Sequence, residues 1–325
     1  MRQPNQPSTS RRLFNLLGPF LGLVLVIGLF SLSPTVRPHF LTWGNFQIIF
    51  IQTVIVAIGT LGMTMIIISG GIDLSVGSVV AVTSVVGALS LVKGHSVITA
   101  SLLTIATGAL IGLINGSAIA GLRMMPFIVT LGMMGIARGA AKWLSGSQTV
   151  SAPPDSPIGN LMDPNFLFLS APAGVWITIA LAILMALVMQ RTVFGRYIFA
   201  IGANEAAARL SGIRVQFHKA IIYGLAGAFF GLSGLMQLSR LTQGDPTGAI
   251  GLELDIIAAV VIGGASLSGG SGSILGSMIG ALIMAVLRNG SIQMDWPTYV
   301  QEIIIGIVII IAVAVDRLRQ GSLKT

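Results

Sequence analysis

Long apolar stretches, interrupted by short polar or glycine-proline punctuation, run along nearly the whole chain. Charge-free windows recur at Leu13–Val36, Phe40–Ile72, Leu74–Val92, His95–Leu122, Pro164–Gln190, Ala220–Ser239 and Ile256–Leu287, with shorter ones after Pro126 and Glu302. A membrane-crossing helix needs about 20 mostly apolar residues. Splitting the long windows at their punctuation gives ten spans: 16–33, 46–68, 74–92, 97–120, 126–144, 173–190, 220–239, 252–268, 273–289 and 298–315. The pattern predicts an all-α polytopic membrane helix bundle of about ten transmembrane helices, since helices satisfy their own backbone in lipid. One transmembrane domain then covers 16–317, between tails 1–15 and 318–325, with 191–219 as its longest polar loop. The first span follows Arg11-Arg12, lacks a small-residue cleavage site and is succeeded by further spans, so it reads as a retained helix. The eighth is the weak one: only Ile256–Ser268 is uncharged, about 20 Å of helix against a core of about 30 Å. It is either tilted, extended back past Glu253 and Asp255, or re-entrant.

Composition strengthens this reading. Charged residues are 9% of the 325, hydrophobic ones 54%, and mean hydropathy is +0.92. A soluble domain carries about 25% charged residues, and a disordered chain needs low hydrophobicity, so both classes are excluded. The net charge of +8 sits in a few loops and the tails without interleaved aromatics, which argues against nucleic acid as a partner. There is no cysteine, and His39, His95 and His218 are far apart, so the sequence suggests no metal site or cofactor. With both termini in the cytoplasm, the inner side collects Arg2, Arg11, Arg12, Arg123, Arg191, Arg196, Arg209, Arg214, Lys219, Arg317, Arg319 and Lys324. The outer side keeps Arg37, Lys93, Arg138, Lys142, Arg240 and Arg288, and Trp43, Trp143, Trp176 and Trp296 fall at outer helix ends, where an indole prefers to sit.

Residues 70–78 read GGIDLSVGS and residues 263–271 read GGASLSGGS; continued without a gap, Ser84, Gly87, Ala88 and Leu89 match Ser277, Gly280, Ala281 and Leu282. This is the pattern of an internal repeat, and transporters often line their path with glycine-interrupted segments at corresponding positions. The residues placed on a translocation path are Gly70, Gly71, Asp73, Ser75, Asn115, Gly263, Gly264 and Ser268. Asp73 has two readings, a cap on the backbone N–H of Ser75 or Val76 and a carboxylate facing the path. Thr60, Thr64, Ser84, Asn115 and Thr130 offer hydrogen bonds for a neutral polar solute. Gly108/Gly112/Gly116, Gly135/Gly139, Gly227/Gly231 and Gly276/Gly280 have the spacing that lets helices approach closely, either inside the bundle or at a subunit interface.

In the loop 191–219, Asn204 is a good N-cap, Glu205 suits a first turn, Ala206, Ala207 and Ala208 favour helix, and Ser211-Gly212 ends it. Such a short helix is ordered only by packing on a membrane surface or on a partner. None of Lys93, Lys142, Lys219 and Lys324 lies in a phosphate-cradling G-x-x-x-x-G-K-[ST], and no nucleophile–base pair suggests an enzyme. A transporter of this sequence is either moved by an ATPase on another chain or coupled to protons through Asp73, Glu253, Asp255 or Glu302.

At GGIDLSVGS (70–78), GRYIFAIGANEAAARLSGI (195–213) and ELDIIAAVVIGGASLSGG (253–270) the chain resembles the permease subunits of bacterial monosaccharide ABC importers, ribose permeases most closely, from about residue 20 to residue 317. The resemblance implies an inner-membrane permease pairing with a second permease chain and embedded in lipid. A cytoplasmic ATPase would drive it and a periplasmic sugar-binding protein would feed it, without catalysis by the permease itself. It also implies that the segment of Asn204, Glu205, Ala206, Ala207, Arg209, Leu210 and Gly212 is the one that contacts the ATPase.

Overall fold

The computed structural model describes residues 9–168 and 171–321. Expectations for residues 1–8 and 322–325 lie outside that range. Among the described residues the helices are α1 (Thr9–Ser31), α2 (Arg37–Phe40), α3 (Trp43–Ile68), α4 (Val76–Val92), α5 (Val97–Gly121), α6 (Pro126–Ser145), α7 (Ala173–Arg191), α8 (Val193–Ala203), α9 (Glu205–Leu210), α10 (Val215–Leu241), α11 (Leu252–Ile262), α12 (Ile274–Gln293) and α13 (Thr298–Gly321). Each of the ten spans drawn from the sequence overlaps one long helix or, for 252–268, the 11-residue α11. Six of them, α3, α5, α6, α7, α10 and α12, are long and apolar enough to cross a membrane, while α1, α4 and α13 hold shorter apolar stretches. Because α1 begins at Thr9 and α13 runs to Gly321, both reach into what the sequence assigned to tails.

Local chemistry explains most boundaries. Thr42 caps α3 by accepting from Asn45 N–H, Ser96 caps α5 from Thr99 N–H, and Ser273 caps α12 from Gly276 N–H. Pro126 opens α6, and Gly146 closes it at φ +61°. Thr64, Thr83, Thr104 and Thr178 turn their hydroxyls onto carbonyls four residues back, which satisfies them inside an apolar bundle. Thr60, Thr64 and Ser84, which the sequence offered as hydrogen-bonding groups for a solute, are fully buried.

The bundle is organised around α10 and α3. On α10, Gly227 and Gly231 meet Gly108 and Gly112 of α5 so closely that a Cβ on Gly112 would stand 2.9 Å from Gly227 Cα. Two of the small-residue spacings are thus the two sides of one helix crossing, and the gain is backbone dispersion that lipid cannot supply. Gly280 packs on Ala259 in the α11–α12 pair, whereas Gly135 and Gly139 face open space on α6.

The eighth span is resolved differently from a full crossing. α11 has only 11 residues, about 16 Å at 1.5 Å per residue, and residues 263–273 form turns instead of continuing it. The segment 242–251 before it runs back along the bundle: Gln243–Gly244 pairs with Val150–Ser151 as a two-residue antiparallel ladder, and Arg138 donates to Pro246 O (2.9 Å) and Gly248 O (2.7 Å). Consequently α11 starts beside the first turn of α4, with Ala249 O 2.5 Å from where a Cβ on Gly77 would be.

Candidate functional site

The two glycine-glycine segments each end a helix with the same turn. After α3, Gly70 takes φ +82° and Gly71 N–H returns to Ile66 O; after α11, Gly264 takes φ +89° and Ala265 N–H returns to Val260 O. Only glycine enters this left-handed region without strain. The left-handed residues are one position out of step with the sequence match, which aligns Gly70 with Gly263. Beyond them Asp73 accepts from Ser75 N–H and Ser266 from Ser268 N–H at matching positions. The segments then diverge, since α4 starts at Val76 whereas the residue aligned with it, Gly269, is five short of α12.

Asp73, Ser75 and Asn115 come together in a closed polar knot. Asp73 Oδ1 accepts from Ser75 N–H (2.8 Å) and Ser75 Oγ–H (2.6 Å), while Asn115 Nδ2 donates to Ser75 Oγ (3.1 Å) and, at 3.4 Å, to Asp73 Oδ2. Thr130 adds its hydroxyl to Leu74 N–H, and the Tyr223 hydroxyl lies against Gly71, so α4, α5, α6 and α10 are tied to one loop. All three members of the knot are buried. Asp73 thus makes the hydrogen bond to Ser75 N–H that the capping reading named, although α4 itself begins after Ser75 without a side-chain cap. A chain of acids for proton relay is not formed, since Asp255 is held by Arg288 at 2.6 Å and Glu302 is exposed on α13.

The end of α3 and the stretch that follows the second turn meet the segment that carries α9. Gly270 N–H donates to Ile68 O across 2.8 Å, and Gly202, next to last in α8, sits directly on that bond. A Cβ on Gly269 would stand 3.0 Å from Gly70 Cα and 3.1 Å from Gly202 Cα. Three backbone segments, distant in sequence, therefore converge where side chains would keep them apart. Gly263 and Gly264 line a separate recess with Ser271 and Ser273, and Ser268 is exposed.

α9 has the caps that its sequence specifies. Asn204 Oδ1 accepts from Ala207 N–H (2.9 Å), and Gly212 at φ +85° closes it, with Ile213 N–H returning to Ala208 O. Ala208 points inward against Ile201 and Val215, so Ala206, Ala207, Arg209 and Leu210 are left outward. Leu210 is 90% exposed, the most of any large apolar side chain among the described residues. Glu205 bridges Arg209 (3.0 Å) and Lys219 (2.6 Å), which pins α9 to the first turns of α10. The hydrogen bond from Lys219 holds the Glu205 carboxyl below its ordinary range, against partial burial that acts the other way. Sequence spacing pointed to Arg209 but not to Lys219, which no helical register links to residue 205. Gly202 carried one signal, an isolated glycine inside a helical pattern with no turn to make.

Comparison with known proteins adds a family match and a set of close relatives. Residues 45–313 match the family described as branched-chain amino acid transport system / permease component. The chain is 39% identical over 307 residues to the ribose import permease protein RbsC of Escherichia coli K12, covering 92% of this chain and 93% of that one. It is 40% identical over 302 residues to RbsC of Bacillus subtilis 168 (93% and 92% covered) and 34% identical over 302 residues to the L-arabinose ABC transporter permease protein AraH of Azospirillum brasilense (93% and 88%). No solved structure matches the chain.

Proposed function

The chain belongs to the branched-chain amino acid transport system / permease component family, and from that membership we propose that it is the membrane-spanning subunit of an importer that carries ribose inward. It is a transport subunit and not an enzyme. The observation that carries the sugar is the similarity to ribose import permeases over more than nine-tenths of both chains; the arabinose relative is less similar.

In this reading the ten apolar segments cross or enter the inner membrane, with both termini and α9 on the cytoplasmic side. Two copies of the chain form the pore, and apolar side chains exposed on α1, α5, α6 and α7 face lipid or the second copy. A binding protein delivers the sugar to the outer end. A separate ATPase receives α9 through Asn204, Glu205, Ala206, Ala207, Arg209, Leu210 and Gly212. A ligand or motor shifts an equilibrium between inward- and outward-facing states only by treating the two differently. The geometry supplies a handle for this: α9 is pinned by Glu205 and Lys219, and its support α8 abuts, at Gly202, the end of α3 and the Gly269–Gly270 stretch. The turns at Gly70–Gly71 and Gly263–Gly264 flank the path and move with that handle, while the Asp73–Ser75–Asn115 knot keeps α4 and α5 together.

Proteoliposomes decide the matter. The chain with its ATPase and binding protein should accumulate ribose only with ATP inside the compartment that holds the ATPase, and the chain alone should accumulate none. Accumulation by the chain alone, driven by a proton gradient, would overturn the proposal.

A further inference from the structure

The end of the bundle opposite α9 contains a cavity of about 380 Å³ between α3, α10, α11 and α12. Its polar lining is Gln52, Gln237, Arg240, Asp255 and Arg288, set among apolar groups such as Ile55 and Met284. Specific small-molecule sites have this make-up, an apolar wall with a few convergent polar groups, and volumes upward of about 300 Å³.

Two of the polar groups are held without partners. Gln237 is 8% exposed and makes no hydrogen bond among the described residues; Gln52 Oε1 is fully buried and equally unpaired. A buried amide oxygen such as that of Gln52 left in that state is uncommon, because its desolvation is not offset. Beside them Asp255, 4% exposed, accepts from Arg288 Nη2 at 2.6 Å, which leaves further lone pairs on the carboxylate and further N–H groups on a guanidinium whose side chain is 52% exposed. α11 also begins here, after Gly251 in the left-handed conformation, so a helix interrupted within the bundle opens its first turn into the cavity.

Donors and acceptors alternate in this lining. A sugar hydroxyl needs both, since it donates one hydrogen and accepts on its oxygen. Asp255 is paired with Arg288 and Arg240 adds a further guanidinium, so the lining presents hydrogen-bond donors and acceptors together, which matches a polyhydroxylated solute by its hydroxyls and not by charge. Resting on the importer reading above, we propose that this cavity is the solute vestibule of the permease, where Gln52, Gln237 and the Asp255–Arg288 pair hydrogen-bond the hydroxyls of a neutral monosaccharide.

The cysteine-free chain makes the test direct. In cells carrying the complete importer, Gln237→Leu should lower ribose uptake about tenfold at wild-type membrane abundance, the effect of losing a hydrogen bond to a buried amide. Ile250, 76% exposed on the cavity wall, is replaced by cysteine in a second variant. A membrane-impermeant thiosulfonate applied from outside should label it and stop uptake, whereas labelling Lys93→Cys, off the cavity, should not. Wild-type uptake with undiminished transport in Gln237→Leu and in labelled Ile250→Cys overturns the cavity assignment alone. No uptake of any monosaccharide by the wild-type complex overturns the importer reading beneath it. If Gln237→Leu fails to insert, the labelling result decides.

Discussion

Gly202 offers the sharpest test of how α9 is connected to the rest of the bundle. In Gly202→Ala the new methyl falls inside the envelope of the Ile68 carbonyl oxygen, 2.6 Å from Gly270 N and 2.8 Å from the Ile68 carbonyl carbon. Ordinary contact needs about 3.5 Å, so α8 must withdraw from the Ile68 oxygen by about 2 Å or the Gly270–Ile68 hydrogen bond must open as that carbonyl turns away. Overpacking of this kind costs about 1–3 kcal/mol and the lost hydrogen bond about 1 kcal/mol more. A total of about 2–4 kcal/mol is large against a net stability of about 5–15 kcal/mol. It is also localised, because both routes of relief loosen the junction of α8 with the end of α3 and Gly270. The assay combines thermal inactivation of the purified importer with ribose uptake and ATP hydrolysis. Gly202→Ala should melt earlier and transport less ribose per ATP hydrolysed, while Gly121→Ala, whose methyl meets nothing within 4 Å, should behave as wild type. Wild-type melting and coupling in Gly202→Ala would refute the claim that this junction bears the connection.

Two further outcomes concern α9. Leu210→Glu changes a side chain that touches almost nothing in the chain itself, so folding should be unaltered while co-purification with the ATPase falls about tenfold; undiminished co-purification would place the contact elsewhere. The Glu205 carboxyl lies below its ordinary value of 4.5, so the pin to Lys219 contributes fully above that pH and is lost only as pH falls through the lower folded value. A spin label at residue 207 should therefore stay immobile down to pH of about 4.5 and loosen below it; loosening that begins above about pH 6 would contradict the pairing.

The helices and their ends were largely written in local sequence. Apolar windows, Thr42, Ser96, Asn204 and Ser273 as caps and Gly70, Gly146 and Gly212 as stops act over a few residues, where periodicity and capping can be read directly. The same holds for the Asp73–Ser75 turn. The α5–α10 crossing was legible as paired glycine spacings, although the sequence did not say which pairs meet. The likeness of residues 70–78 to 263–271 was legible as a match of letters, yet the left-handed glycines fall one step apart and the following helices start five residues apart, because backbone geometry answers to the turn and not to the alignment.

Tertiary structure alone decided the rest. Lys219 on Glu205, Gly202 on Ile68 and Gly270, and the meeting of Gln52, Gln237 and Asp255 each join residues that no helical or strand register relates. Burial was equally hidden: the most apolar stretches of α3 and α5 have hydropathies of 2.1 and 2.2, yet 89% of the first is buried inside the chain and 22% of the second. Lipid tails are as apolar as a protein interior, so hydrophobicity marks which segments enter the membrane and is silent on which of them face each other.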